Sequence, residues 1–143
     1  SEKSDPGDLV TSADLALSDI LLHELDKRFP GDLLISEEGS VEELIQQKNS
    51  RTWYLDPIDG TDNYVSNDGQ YAVMLGLLLD GKPHFGCVSA PAKGVTFFGG
   101  PAYGCWKRKQ GQKAQKVDSK NATGMSNPVR LMIGYRDRKQ NKW

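Results

Sequence analysis

Apolar residues Leu17, Ile20, Leu21 and Leu25 recur at three- and four-residue spacing, which predicts a helix with one buried face. Ser12 is its expected N-cap, and Phe29-Pro30-Gly31-Asp32 its stop. Leu33-Leu34-Ile35 then reads as a short buried strand that delivers Ser36-Glu37-Glu38-Gly39 to its end, followed by a weaker helical stretch from Val41 to Gln47. Trp53-Tyr54-Leu55 is a second short strand, broken by Pro57 and Gly60 into a loop crowded with carboxylates.

From Tyr71 the texture changes to strand, turn, strand. Tyr71 to Leu79, Phe85 to Ser89 and Val95 to Phe98 are apolar runs separated by turns at Asp80-Gly81-Lys82-Pro83 and around Pro91-Ala92-Lys93-Gly94. Gly104 to Arg108 and Val129 to Tyr135 read as further strands, with a polar stretch between them that opens on a basic hairpin tip, Lys107-Arg108-Lys109. A helix at the front and consecutive hairpins afterwards predict an α+β fold, an antiparallel β-sheet layered with helices, not a doubly wound parallel one.

Length and charge narrow the function classes. The 143 residues, 37% of them hydrophobic, suit a single domain spanning residues 1–143. Eighteen Lys and Arg against nineteen Asp and Glu leave a net charge of −1, so bulk electrostatics attract neither a nucleic-acid polymer nor a membrane, and a charged ligand must be recognised locally. No apolar run approaches the ~20 residues of a membrane span, and Ser1-Glu2-Lys3-Ser4-Asp5 has no signal-peptide pattern. Cys87 and Cys105 are too few for a disulfide framework and are expected to be buried thiols in strands, which fits a cytoplasmic location. His23 and His84 read as a helix-surface and a strand residue, not ligands.

The candidate chemistry lies at the strand ends. Glu37, Glu38, Asp56 and Asp59 converge if the two short strands are neighbours, and facing carboxylates persist at neutral pH only when something positive neutralises them. All-oxygen ligands are what Mg²⁺ prefers. Pro57 stiffens and Gly60 turns the segment Asp56-Pro57-Ile58-Asp59-Gly60-Thr61, which lets both aspartates and a backbone carbonyl, that of Ile58, meet, with the Thr61 hydroxyl at the rim. Three other readings compete. A solvated acidic loop is the commonest fate of an isolated Asp-x-x-Asp-Gly. A calcium loop of EF-hand type needs alternate oxygen ligands and a late Glu that residues 56–64 do not supply. A phosphoaspartate-forming hydrolase would space its aspartates by two, not three.

Trp53 to Tyr64 resembles the signature of the inositol monophosphatase superfamily: an aromatic-rich strand, Asp-Pro-hydrophobic-Asp-Gly-Thr, then an aromatic residue three positions on. Lys3, the segment Asp8-Leu9-Val10-Thr11-Ser12-Ala13-Asp14 and the pair Glu37-Glu38 stand upstream in the family's order and at family-like spacing, so the resemblance covers nearly the whole chain. It implies the N-terminal half of an αβαβα sandwich and a Mg²⁺-dependent phosphomonoesterase with two or three ions. By the resemblance, Glu37, Asp56 and the Ile58 carbonyl hold a first metal, while Asp56 bridges to a second that Asp59 also binds. Thr61 and Asp14 form a proton-handling pair, Glu38 assists the water, and Gly60, Thr61 and Lys3 face the substrate. Such metals lower the pKa of water and orient a phosphate for in-line attack.

Full members of the superfamily are nearly twice this length and carry a second α/β domain with a Trp-Asp-x-Ala-type motif, which this sequence does not contain; a first helix before Lys3 is also expected in them. The resemblance therefore predicts an N-terminal domain without the last metal-binding aspartate. Asp68-Gly69-Gln70-Tyr71-Ala72-Val73, Asp80-Gly81-Lys82-Pro83 and Gly86-Cys87-Val88-Ser89-Ala90-Pro91 resemble the bacterial branch that removes the 3′-phosphate of adenosine 3′,5′-bisphosphate. Inositol-1-phosphate and fructose-1,6-bisphosphate are the other substrates weighed. A reading from another class is a non-catalytic interaction module, in which an exposed apolar face recruits a partner or forms a homodimer.

Overall fold

A computed structural model describes residues 11–39 and 51–117. The expected helix at Val41 to Gln47, the expected strand at Val129 to Tyr135 and Lys3 lie outside the described residues.

Helix α1 spans Ser12–Arg28. Its N-cap is Thr11, one residue before the expected Ser12, because Thr11 and Asp14 form a reciprocal capping box. The Thr11 hydroxyl accepts the N–H of Ala13 at 3.2 Å, and the Asp14 carboxylate accepts the Thr11 N–H at 2.9 Å. Lys27 and Arg28 in the last turn complement the negative end of the helix dipole. The face turned inward keeps three of the four expected residues and is rotated so that Ile20 leaves it. Its fully buried positions are Asp14 and Ser18, Leu17, Leu21 and Leu25 are half-buried beside them, and Ile20 is exposed.

Strand β1 (Leu33–Ser36) runs parallel to β2 (Arg51–Asp59), with Leu33 opposite Thr52 and Ser36 opposite Leu55. The remaining strands form an antiparallel meander: β3 (Ala72–Leu79), β4 (Lys82–Ala90), β5 (Val95–Gly100), β6 (Gly104–Lys109) and β7 (Gln115–Val117). Among the described residues they make one mixed sheet in chain order. β1 and β2 are the parallel pair of this sheet, and the strands from β2 onward have the expected antiparallel arrangement. A parallel pair, unlike the hairpins from β3 onward, cannot be joined by a tight turn.

Three local expectations are corrected. Pro57 does not end β2; it is fully buried in the strand, whose register against β3 shifts between Asp56 and Asp59, so a bulge accommodates the missing N–H. Lys107, Arg108 and Lys109 lie within β6, and the turn follows at Gln110 and Gly111. The thiols also differ, since Cys87 is half-buried and Cys105 is exposed.

Among the described residues the buried apolar side chains of the core are Trp53, Leu55, Ile58 and Leu77. At the far end of β2 the Trp53 ring packs on Phe29, with centroids 5.1 Å apart, and its indole N–H donates to Asp32 at 2.8 Å. The Arg51 guanidinium reaches the same Asp32 carboxylate at 3.1 Å and lies over the Phe29 ring. This clamp fastens the C-terminal end of α1, while Asp14 approaches the other end of β2.

Candidate active site

The ladder of β1 and β2 continues one step past Ser36, because the Glu37 N–H donates to the Leu55 carbonyl at 2.9 Å. That bond sets Glu37 beside Asp56, the next residue of β2. The turn after it closes when the Gly39 N–H reaches the Ser36 carbonyl at 3.0 Å. Glu38, half-buried, donates its N–H to the Ser36 hydroxyl at 3.4 Å.

The Asp56 and Glu37 side chains lie close enough to act on each other. Burial first, then the negative charge and hydrogen bond of Glu37 and the charge of Asp59, push the Asp56 carboxyl up to about 7, against a smaller opposing effect of the Ile58 N–H. Two carboxylates set side by side favour a cation between them. The donor set of two carboxylates and nearby carbonyl oxygen is that of a hard divalent ion, and so fits Mg²⁺. Asp59 ends β2 with its side chain exposed. Among the described residues no three His, Cys, Asp or Glu side chains are gathered closely enough to hold an ion between them. The structure thus brings Glu37 and Asp56 together and leaves Asp59 at their rim.

Behind this pair, Asp14 is 1% exposed although it is a carboxylate. Its Oδ2 is occupied by Thr11, through both the backbone N–H and the side-chain hydroxyl. Its Oδ1 accepts from the Thr61 hydroxyl at 3.5 Å, and the same hydroxyl lies 3.2 Å from the Ile58 carbonyl. Thr61 opens the short helix α2 (Thr61–Val65), which was not expected from the sequence. Gly60, its N-cap, has φ of +89°, and a Cβ there would lie 3.0 Å from the Gln70 carbonyl, so the position admits glycine on two counts.

Sequence reasoning missed the roles of Thr11, Ser18 and Ser36 in holding these groups. Thr11 had a readable signal, since Thr-x-x-Asp ahead of an apolar period is a capping box. Ser18 stands four residues after Asp14 and so on its face, but nothing local shows that this face is the inward one. His23 is exposed on α1 and His84 lies in β4 against Tyr103, neither near the carboxylates.

Fold and site define a class: a mixed sheet backed by a helix, with a carboxylate pair at the ends of adjacent parallel strands and an acid–threonine contact behind it. The chain belongs to the inositol monophosphatase family, whose model matches residues 1–139. It is 32% identical over 126 residues to the 3′(2′),5′-bisphosphate nucleotidase CysQ of Haemophilus influenzae, covering 87% of this chain and 46% of that protein. It is 34% identical over 91 residues to the fructose-1,6-bisphosphatase/inositol-1-monophosphatase of Thermotoga maritima, covering 64% of this chain and 34% of that one. Among solved structures the Thermotoga maritima IMPase superposes with a TM-score of 0.66 at 31% identity, over 78% of this chain and 41% of the other. An IMPase/NADP phosphatase complexed with Mg²⁺ and phosphate gives 0.66 at 27% identity, over 75% of this chain and 40% of the other. The chain spans less than half the length of these relatives. Among the described residues no helix is long and apolar enough to cross a membrane.

Proposed function

We propose that this chain supplies the cation-holding part of a Mg²⁺-dependent phosphomonoesterase that hydrolyses a small phosphorylated metabolite, with adenosine 3′,5′-bisphosphate and loss of its 3′-phosphate as the favoured reaction. The observation that carries the reading is Glu37 set beside Asp56 by its N–H on the Leu55 carbonyl, with the Asp56 carboxyl pushed up to about 7 by burial and by Glu37. Glu37, Asp56, the Ile58 carbonyl and Asp59 would hold two or three Mg²⁺ ions. When bound, the ions lower the pKa of water and neutralise charge on the phosphate.

The chain's own residues supply the proton path. The Thr61 hydroxyl has one proton and two acceptors in reach, Asp14 Oδ1 and the Ile58 carbonyl. Donating to Asp14 frees that carbonyl for a cation and turns the Thr61 lone pairs outward. As the attacking water gives its proton to the Thr61 oxygen, the Thr61 hydroxyl proton passes to Asp14 Oδ1, so that the carboxylate is the final acceptor. Asp14 stays in place because Thr11 holds its second oxygen. Glu38 stands on the same turn as Glu37 and supports the water; Gly60 and Lys3 are assigned to the phosphate side.

Similarity to bisphosphate nucleotidases favours the 3′-phosphate substrate over inositol-1-phosphate or fructose-1,6-bisphosphate. The test is phosphate release from adenosine 3′,5′-bisphosphate and inositol-1-phosphate with Mg²⁺ and with EDTA. Mg²⁺-dependent release that disappears in Asp56→Asn and Asp59→Asn is the expected result; release indifferent to EDTA would sink the reading.

A second reading rests on the sheet face away from α1. Tyr54, Val88 and Phe97 expose 44%, 42% and 39% of their surface there, in a cavity of about 850 Å³ that also involves Met74 and Gly76. Apolar area of this kind marks an interaction surface, and a homodimer or a partner protein without hydrolysis would be its sign. Sedimentation of a monomer that releases phosphate would decide for the enzyme.

A further inference from the structure

Asp14, Ser18 and Ser36 are the buried polar side chains among the described residues. Asp14 faces Thr61, which leaves the two serines to be accounted for. Their hydroxyl oxygens lie 2.7 Å apart, joining the middle of α1 to the last residue of β1. Ser36 also accepts the Glu38 N–H on its hydroxyl and the Gly39 N–H on its carbonyl. The turn that carries Glu37 is held by the Glu37 N–H on the Leu55 carbonyl and by Ser36, and that serine is fastened to the helix that presents Asp14.

An alanine pair would fill the same space without hydroxyls to desolvate, so packing alone does not call for serine at either position. The distinguishing consequence of the pair is directional. It fixes where β1 ends relative to α1, and so how Glu37 meets Asp56.

We propose that Ser36, held by Ser18, is a positioning residue that sets Glu37 against Asp56 and thereby tunes the cation affinity of the carboxylate pair. The inference rests on the reading of that pair as cation ligands. Neither serine touches the substrate or the cation; both act through the turn.

The test uses the full chain and its Ser18→Ala, Ser36→Ala and double variants, with Leu77→Ala as a control that lowers stability through the core. Two quantities are measured: amide hydrogen exchange at Glu38, whose N–H the Ser36 hydroxyl accepts, without metal, and Mg²⁺ affinity by calorimetry. The expected result is faster exchange at that amide and a Kd for Mg²⁺ raised about tenfold in all three serine variants, the double no worse than the singles. Leu77→Ala should lower the melting temperature and leave the Kd as it was. Exchange or Kd unchanged in Ser36→Ala, beside a wild-type chain that binds Mg²⁺, would overturn the positioning role alone. A wild-type chain that takes up no Mg²⁺ would overturn the cation reading of Glu37 and Asp56, and the positioning role with it.

Discussion

Asp14 of α1 and Thr61 of α2, 47 residues apart in sequence, meet through one hydrogen bond of 3.5 Å, with the carboxylate oxygen buried. The contact is long for a hydroxyl donor, as catalytic hydrogen bonds often are before substrate is bound. If it handles the proton of the attacking water, Asp14→Asn and Thr61→Ala should each lower kcat by about 10²–10⁴. The double variant should be little worse than either, because the two act as a unit. Thr61→Ser should restore most of the rate. Phosphate release set beside thermal melts of the same variants separates this outcome from simple unfolding.

The raised Asp56 carboxyl makes a sign prediction for the metal-free protein. Its folded value of about 7 lies above the ordinary 3.8, so the folded state binds more protons than the unfolded one between those limits. The contribution to stability is full below about pH 4 and is lost as the pH rises through 7. Urea unfolding in EDTA should therefore show stability falling from pH 5 to pH 8, with a shallower fall in Asp56→Asn. Mg²⁺ takes the ionised form, so added Mg²⁺ should stabilise more at pH 8 than at pH 5.

Asp32 accepts both the Trp53 indole and the Arg51 guanidinium. Asp32→Ala strands the indole N–H and releases the end of α1, which should cost about 1–3 kcal/mol in urea unfolding. The clamp sits at the opposite end of β2 from Asp56. Mg²⁺ affinity of the folded protein should stay within about twofold, a separation expected of distant sites.

Gly60 holds a left-handed backbone against the Gln70 carbonyl. Gly60→Ala should cost about 1–3 kcal/mol from the backbone conformation and move Thr61 off Asp14. Loss of kcat larger than the loss of melting temperature explains would be the sign of that displacement.

Burial pushes the Cys87 thiol up, with Arg108 opposing, while Cys105 is exposed. A thiol reagent at pH 8 should label Cys105 first and Cys87 only slowly. Equal rates would mean that the face carrying Cys87 opens readily.

Much of this protein was legible along the chain. The meander from Tyr71 to Lys109 follows from apolar runs cut by Asp-Gly and Pro-Ala-Lys-Gly turns, because hairpin contacts are local and their turns have their own chemistry. Asp56, Ile58, Asp59, Gly60 and Thr61 were legible together for the same reason: one segment carries them, and its spacing alone groups them. Tertiary structure decided what spacing cannot reach. That Glu37 lands beside Asp56 depends on β1 lying parallel to β2, and no residue of either strand specifies its neighbour. That α1 turns Asp14 and Ser18 inward beside Leu17, Leu21 and Leu25 was hidden because these polar groups find Thr61 and Ser36 only across the packed interface. Sequence determined which groups were present and how each local segment would run. Packing determined which of those groups lost water together, and burial beside the like-charged Glu37 and Asp59 is what raises Asp56.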